Sequence, residues 1–90
     1  MATNVWLGID ADNAVHALQE ALAKLDDAGG EMNLDFSSVR RIDAGALGAL
    51  EKLAGAADAK AVKIVLGGVN VEVYKVLKLM KLAPRFSFLA

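Results

Sequence analysis

Ninety residues supply few groups able to make or break bonds. The hydroxyls are Thr3, Ser37, Ser38, Tyr74 and Ser87, there is a single histidine, His16, and there is no cysteine. Without cysteine there is no disulfide framework, no zinc–thiolate site and no thiol nucleophile. His16 sits inside a helical pattern and reads as a surface or boundary residue; alone it cannot build a multi-histidine metal site. Asp35 and Asp43 are the carboxylates that could share acid–base work or hold magnesium. Their contexts point elsewhere, since one ends a strand and the other caps a helix. Arg40 and Arg41 could meet a phosphate, but in a polar loop they read as solvated. Gly67-Gly68 lacks the rest of a P-loop or dinucleotide fingerprint and reads as a turn. Ser37 and Ser38 read as loop residues bonding to local backbone. No catalytic set, metal set or cofactor set emerges, so the inventory points to a binding module and away from an enzyme.

Charge narrows the class of partner. The net charge is −1, which leaves no electrostatic footprint for nucleic acid. The distribution is uneven. Through Asp35 the chain carries Asp10, Asp12, Glu20, Asp26, Asp27, Glu31 and Asp35 against Lys24, whereas from Asn70 it carries Lys75, Lys78, Lys81 and Arg85 against Glu72. Such asymmetry can steer a charged partner, although two solvated helix faces of opposite sign are the plainer account. The start, Met1-Ala2-Thr3-Asn4, has no basic region followed by an apolar run. No stretch approaches the roughly 20 apolar residues needed to cross a bilayer. The expectation is a cytoplasmic protein with no direct membrane insertion.

These residues must be positioned by elements that the apolar pattern defines. Val5, Leu7 and Ile9 alternate with Trp6 and Gly8 as a short strand. Trp6 points to the opposite face from Val5 and Leu7 and is a candidate anchor for a partner or for a second copy in a homodimer. Asp10 or Asp12 offers a cap for a helix over 13–27, with Ala14, Val15, Leu18, Ala21, Leu22 and Leu25 at helical spacing, ended by Gly29-Gly30. Met32, Leu34 and Phe36 form a second strand, and 37–41 is a loop. Asp43 caps a helix over 44–57 whose apolar face is Leu47, Leu50, Leu53, Ala54 and Ala57. The apolar run 62–66 reads as a strand buried on both faces. Residues 69–73 alternate like a strand, yet Asn70 as a cap, Glu72 in a first turn and the later lysines suit a helix over 71–80. Ala83-Pro84 breaks it, and 86–89 reads as a short edge strand. Strands alternating with helices predict one small α/β domain over residues 1–90. It has about four strands in a mixed, mostly parallel sheet with helices packed on it.

Two blocks carry a family resemblance. LDFSSVRRIDAGALGAL, from Leu34 to Leu50, is similar to the STAS-domain signature, in which a strand ending in Asp leads through a short loop to Asp-Ser-Ser-Gly-Leu-Gly at the start of a helix. NVEVYKVLKLMKL, from Asn70 to Leu82, resembles the later Ser-Pro-Glu-Val-x-x-Val-Leu-x-x-x-x-Leu pattern at Glu72, Val73, Val76, Leu77 and Leu82. The resemblance implies that the ambiguous segment is a helix capped by Asn70. It also implies a protein-interaction role like that of anti-sigma-factor antagonists, with an anti-sigma kinase as partner. The alternative it implies is an accessory subunit bound to the ATPase of a lipid-transporting permease. In the antagonists the second Ser of the motif is phosphorylated, and the added charge disrupts docking. Here the motif positions hold Asp43, Ala44, Gly45, Ala46 and Leu47, so no hydroxyl remains there. The expectation is a docking loop without phospho-control, with Ser37 and Ser38 as the nearby alternative phosphosites.

Overall fold

Among the described residues, four strands and three α-helices alternate along the chain. The structure is a computed structural model and describes residues 6–89. Met1–Val5 and Ala90 lie outside the described residues, and with them the expected first residue of the first strand. The elements are β1 (Trp6–Gly8), α1 (Ala14–Ala23), β2 (Glu31–Asp35), α2 (Ala44–Ala59), β3 (Lys63–Gly67), α3 (Val71–Leu79) and β4 (Ser87–Leu89). The ambiguous segment is helical.

The sheet is parallel throughout, and its spatial order β1-β2-β3-β4 is the order of the chain. Each strand therefore pairs with the next one after a helical crossover. Crossovers of this kind are almost always right-handed, so three that step in the same direction lay their helices on one face. Burial bears this out. Met32, Leu34, Phe36, Ile64 and Leu66 form one cluster with Leu18, Ala21 and Leu25, with Leu50, Leu53 and Ala57, and with Val73 and Leu77. The alternate strand residues, among them Trp6, Asn33, Asp35, Lys63 and Leu89, lie outside that cluster. Val65 is buried yet also outside it, which places it on the far side of the sheet. Each large side chain in the cluster contributes about 1.5–3 kcal/mol by leaving water.

The helices differ from the sequence pattern in two places. α-Helical geometry stops at Ala23, and a 3₁₀ turn over Leu25–Asp27 completes the first helical stretch. The tighter turn keeps Leu25 at 1% exposure before Gly29 and Gly30, with φ of 65° and 99°, reverse the chain. In α2 the buried residue of the first turn is Ala46, while Leu47 is half-buried. α1 and α2 pack against each other, and small residues of α2, Gly45, Gly48 and Ala49, line the groove between them.

α2 and α3 end alike. Val62 N–H reaches the Ala57 carbonyl at 2.8 Å and Leu82 N–H the Leu77 carbonyl at 2.8 Å, as in a Schellman cap. The left-handed residues are Ala61 (φ 56°) and Lys81 (φ 61°), where glycine is usual. Ala61→Gly and Lys81→Gly should each raise stability by about 0.5–1 kcal/mol, because the left-handed penalty exceeds glycine's entropic cost. Gly68→Ala should do the opposite: φ there is +70° and a Cβ would fall 2.9 Å from Ser37 Cβ. Urea unfolding midpoints of the three variants check both directions.

Candidate functional site

In a parallel sheet with helical crossovers, the strand C-termini and the helix N-termini meet at one end of the molecule. The loop and helix-cap positions singled out by the sequence lie there. β2 ends at Asp35, the chain turns through Ser37 and Ser38, and α2 begins after Asp43. Gly67 ends β3, Gly68 follows it, and Asn70 caps α3.

The start of α2 is held by its cap. Asp43 has extended backbone, and its carboxylate accepts from Ala46 N–H at 2.8 Å. That satisfies one of the donors a helix start leaves without an intrahelical partner. Ala44 and Gly45 are exposed, Ala46 is buried and Leu47 is half-buried. The surface offered is thus two residues with almost no side chain. Gly45 is constrained from behind as well as open in front, since a Cβ on it would sit 3.3 Å from Val15 Cγ2 of α1 and 3.5 Å from the Asp43 carboxylate. Val15, Gln19, Gly45, Gly48 and Lys52 continue this surface into a shallow groove between α1 and α2.

Asn70 ties the loop before α2 to α3. Its Oδ1 accepts from Val73 N–H at 2.8 Å, which caps α3 as the sequence predicts. Its Nδ2 donates to the Arg40 carbonyl at 3.1 Å and lies 3.4 Å from the Val39 carbonyl. Val39 itself is buried and closes a turn on Phe36, at 2.9 Å. Loop 37–43 is therefore pinned at both a backbone and a core contact, and Arg40 and Arg41 stay exposed on it. The second job of Asn70 is invisible in the sequence, because nothing in the chain marks which carbonyls an amide will meet.

Ser37 and Ser38 are both exposed, but Ser37 is already engaged. Its N–H bonds the Asp35 carboxylate at 2.9 Å, and the Ser37 hydroxyl together with that N–H holds the Asp35 carboxyl below its usual range. Its Cα and Cβ lie directly against Gly68. A phosphate on Ser37 would replace a donor with an anion beside that carboxylate. Ser38 lines a depression with Gly8, Asp10 and Asp35. Asp35 and Asp43 have separate local partners, Ser37 and Ala46. Among the described residues, no three histidine or acidic side chains converge on a metal-sized point. His16 is exposed and lies 3.0 Å from Glu20 one turn on.

Comparison with known proteins follows the same lines. The family model described as Mlab, STAS domain matches residues 8–86. A crystal structure of a Thermotoga maritima protein proposed to be an anti-sigma factor antagonist superposes with a TM-score of 0.71 at 22% identity, covering 98% of this chain and 74% of that one. An NMR structure of the same protein, TM1081, gives a TM-score of 0.75 at 20% identity, with 99% and 76% covered. These two share the fold. No curated protein matches this chain.

Two outcomes are expected from the geometry. Asn70→Asp keeps the acceptor that caps α3 but turns an oxygen toward the Arg40 carbonyl. Amide exchange should therefore accelerate across 39–41 while the α3 amides stay protected, with a stability loss of about 1–2 kcal/mol. Because Asp35 is held low in the folded state, its contribution is fully present above the unfolded carboxylate pKa and disappears as pH falls through the folded value. Ser37→Ala should raise the Asp35 pKa in an NMR titration and flatten the acid limb of stability against pH.

Proposed function

The chain belongs to the STAS-domain family, and from that premise we propose that it is a non-enzymatic, cytoplasmic protein-interaction module of the anti-sigma-factor-antagonist kind. Its docking element is Asp43, Ala44, Gly45, Ala46 and Leu47 at the start of α2, and its partner is a kinase-like anti-sigma protein. The module acts in transcription control by partner switching, without a phosphate at this loop. The observation that carries the reading is the exposed Ala44-Gly45 pair on a firmly capped helix start. Small side chains let a partner's backbone approach closely, and no hydroxyl is present from Asp43 to Gly48 to accept a phosphate. Control then falls to abundance or to competition between partners.

A second reading has its own observation. α3 exposes Val71, Tyr74, Leu79 and Met80 beside Lys75, Lys78 and Lys81. An exposed helix face that interleaves apolar side chains with cations suits a protein contact, as for an accessory subunit on the ATPase of a lipid-transporting permease. Two surface variants separate the readings.

Gly45→Arg should weaken capture of an anti-sigma kinase at least about tenfold, with the fold intact by circular dichroism, while Leu79→Glu leaves capture unchanged. The reverse pattern, with co-purification of a membrane-bound ATPase, would favour the second reading. Stoichiometric phosphate on Ser37 or Ser38 after incubation with candidate kinases would sink the absence of a switch.

A further inference from the structure

Among the described residues, no helix or strand packs on the face of the sheet turned away from the helices. Parallel sheets are almost always covered on both sides. Here the far face presents three rows set by strand register. Glu31 and Lys63 form the first, Trp6, Asn33, Val65 and Ser87 the second, and Gly8, Asp35, Gly67 and Leu89 the third. Trp6 and Leu89 are 38% and 55% exposed. The Trp6 ring reaches from β1 across β2 to Gly67 on β3, where a Cβ would fall 2.6 Å from Cζ3. The indole packs over Gly67 and keeps part of its apolar surface exposed.

We propose that this face is a self-association surface, covered by a second copy packed face to face about a two-fold axis. The axis runs along the strands between β2 and β3. It lays β2 on the partner's β3 and β1 on the partner's β4. The rows then match in charge and in size. Glu31 meets the partner's Lys63, and Lys63 meets the partner's Glu31. Leu89 meets the partner's Gly8, a position where even a Cβ would find open space. The Trp6 ring, lying over Gly67 next to the axis, meets the partner's Trp6 ring. Asp35 lies at the rim with its carboxylate already bonded to Ser37. A two-fold across the strands is disfavoured, because it would set Glu31 against the partner's Asp35, like charge on like charge. With strands about 4.8 Å apart and three to five residues long, the face spans roughly 250 Å² per copy. Stable complexes bury about 800 Å² per partner, so this contact is a weak, concentration-dependent one. It leaves the start of α2 free, because that surface lies at the end of the sheet and not on its open face.

Sedimentation of the full chain over about three decades of concentration should show reversible dimer at the upper end. Glu31→Lys and Lys63→Glu, both at exposed positions, should each weaken dimerisation at least about tenfold while leaving the circular dichroism spectrum unchanged. Mixing the two variants should restore association, because each then meets its opposite charge in the other chain. A chain monomeric at the highest concentration assigns the face to a different occupant and overturns the proposal. Dimerisation that survives both single reversals, or that mixing fails to restore, overturns the geometry.

Discussion

The architecture follows from one constraint: consecutive strands are spatial neighbours, and all point the same way. Each connection must then carry the chain from one end of the sheet to the other, and a helix is the compact way to do so. Since the crossovers share a hand, the helices share a face. The core is therefore one-sided, with strand residues of one parity inside and those of the other parity turned away. The same constraint gathers the helix N-termini and the strand C-termini at one end, which is why Asp43, Gly68 and Asn70 come together despite their separation in the chain.

Much of this was legible in the residues. Period-two alternation around Leu34 and helical spacing around Leu18, Leu50 and Leu53 located the elements, because those patterns arise from burying one face of a regular backbone. Asp43 and Asn70 were readable as caps for a local reason, a short side-chain oxygen ahead of an apolar run. The alternation Val69-Val71-Val73 also fits a strand; the Asn70 cap, Glu72 and the later lysines favoured a helix, and the resemblance to a family pattern separated the two. The run 62–66 looked like a strand buried on both faces. It is buried on the outer face chiefly at Val65 and Gly67, and Trp6 from another strand lies over Gly67. Strand order was not legible, since periodicity records which way a side chain points and not which strand lies alongside. The Asn70 amide and the Ser37–Gly68 contact were hidden for the same reason, being long-range consequences of that order.

The site itself is defined more by shape than by reactive groups. Its surface is nearly bare backbone on a helix whose cap is rigid, backed by Val15 and tied through Asn70 to α3. A larger side chain at Gly45 would have to displace Val15 or turn outward into the space a partner would use. Asn70 couples two parts that would otherwise be independent, because the loop before α2 can shift only if the α3 cap gives way or the amide loses the Arg40 carbonyl. A contact made on α3 is thus mechanically connected to the presentation of α2.

The sequential strand order has a consequence for how the chain comes into being. No strand waits for one made later to be inserted between it and its neighbour. Each strand–helix–strand unit can close as soon as it leaves the ribosome, and each new strand adds to an edge already formed. Synthesis from the N-terminus therefore builds the sheet in one direction, from β1 outward, with β4 as the last edge to be laid down.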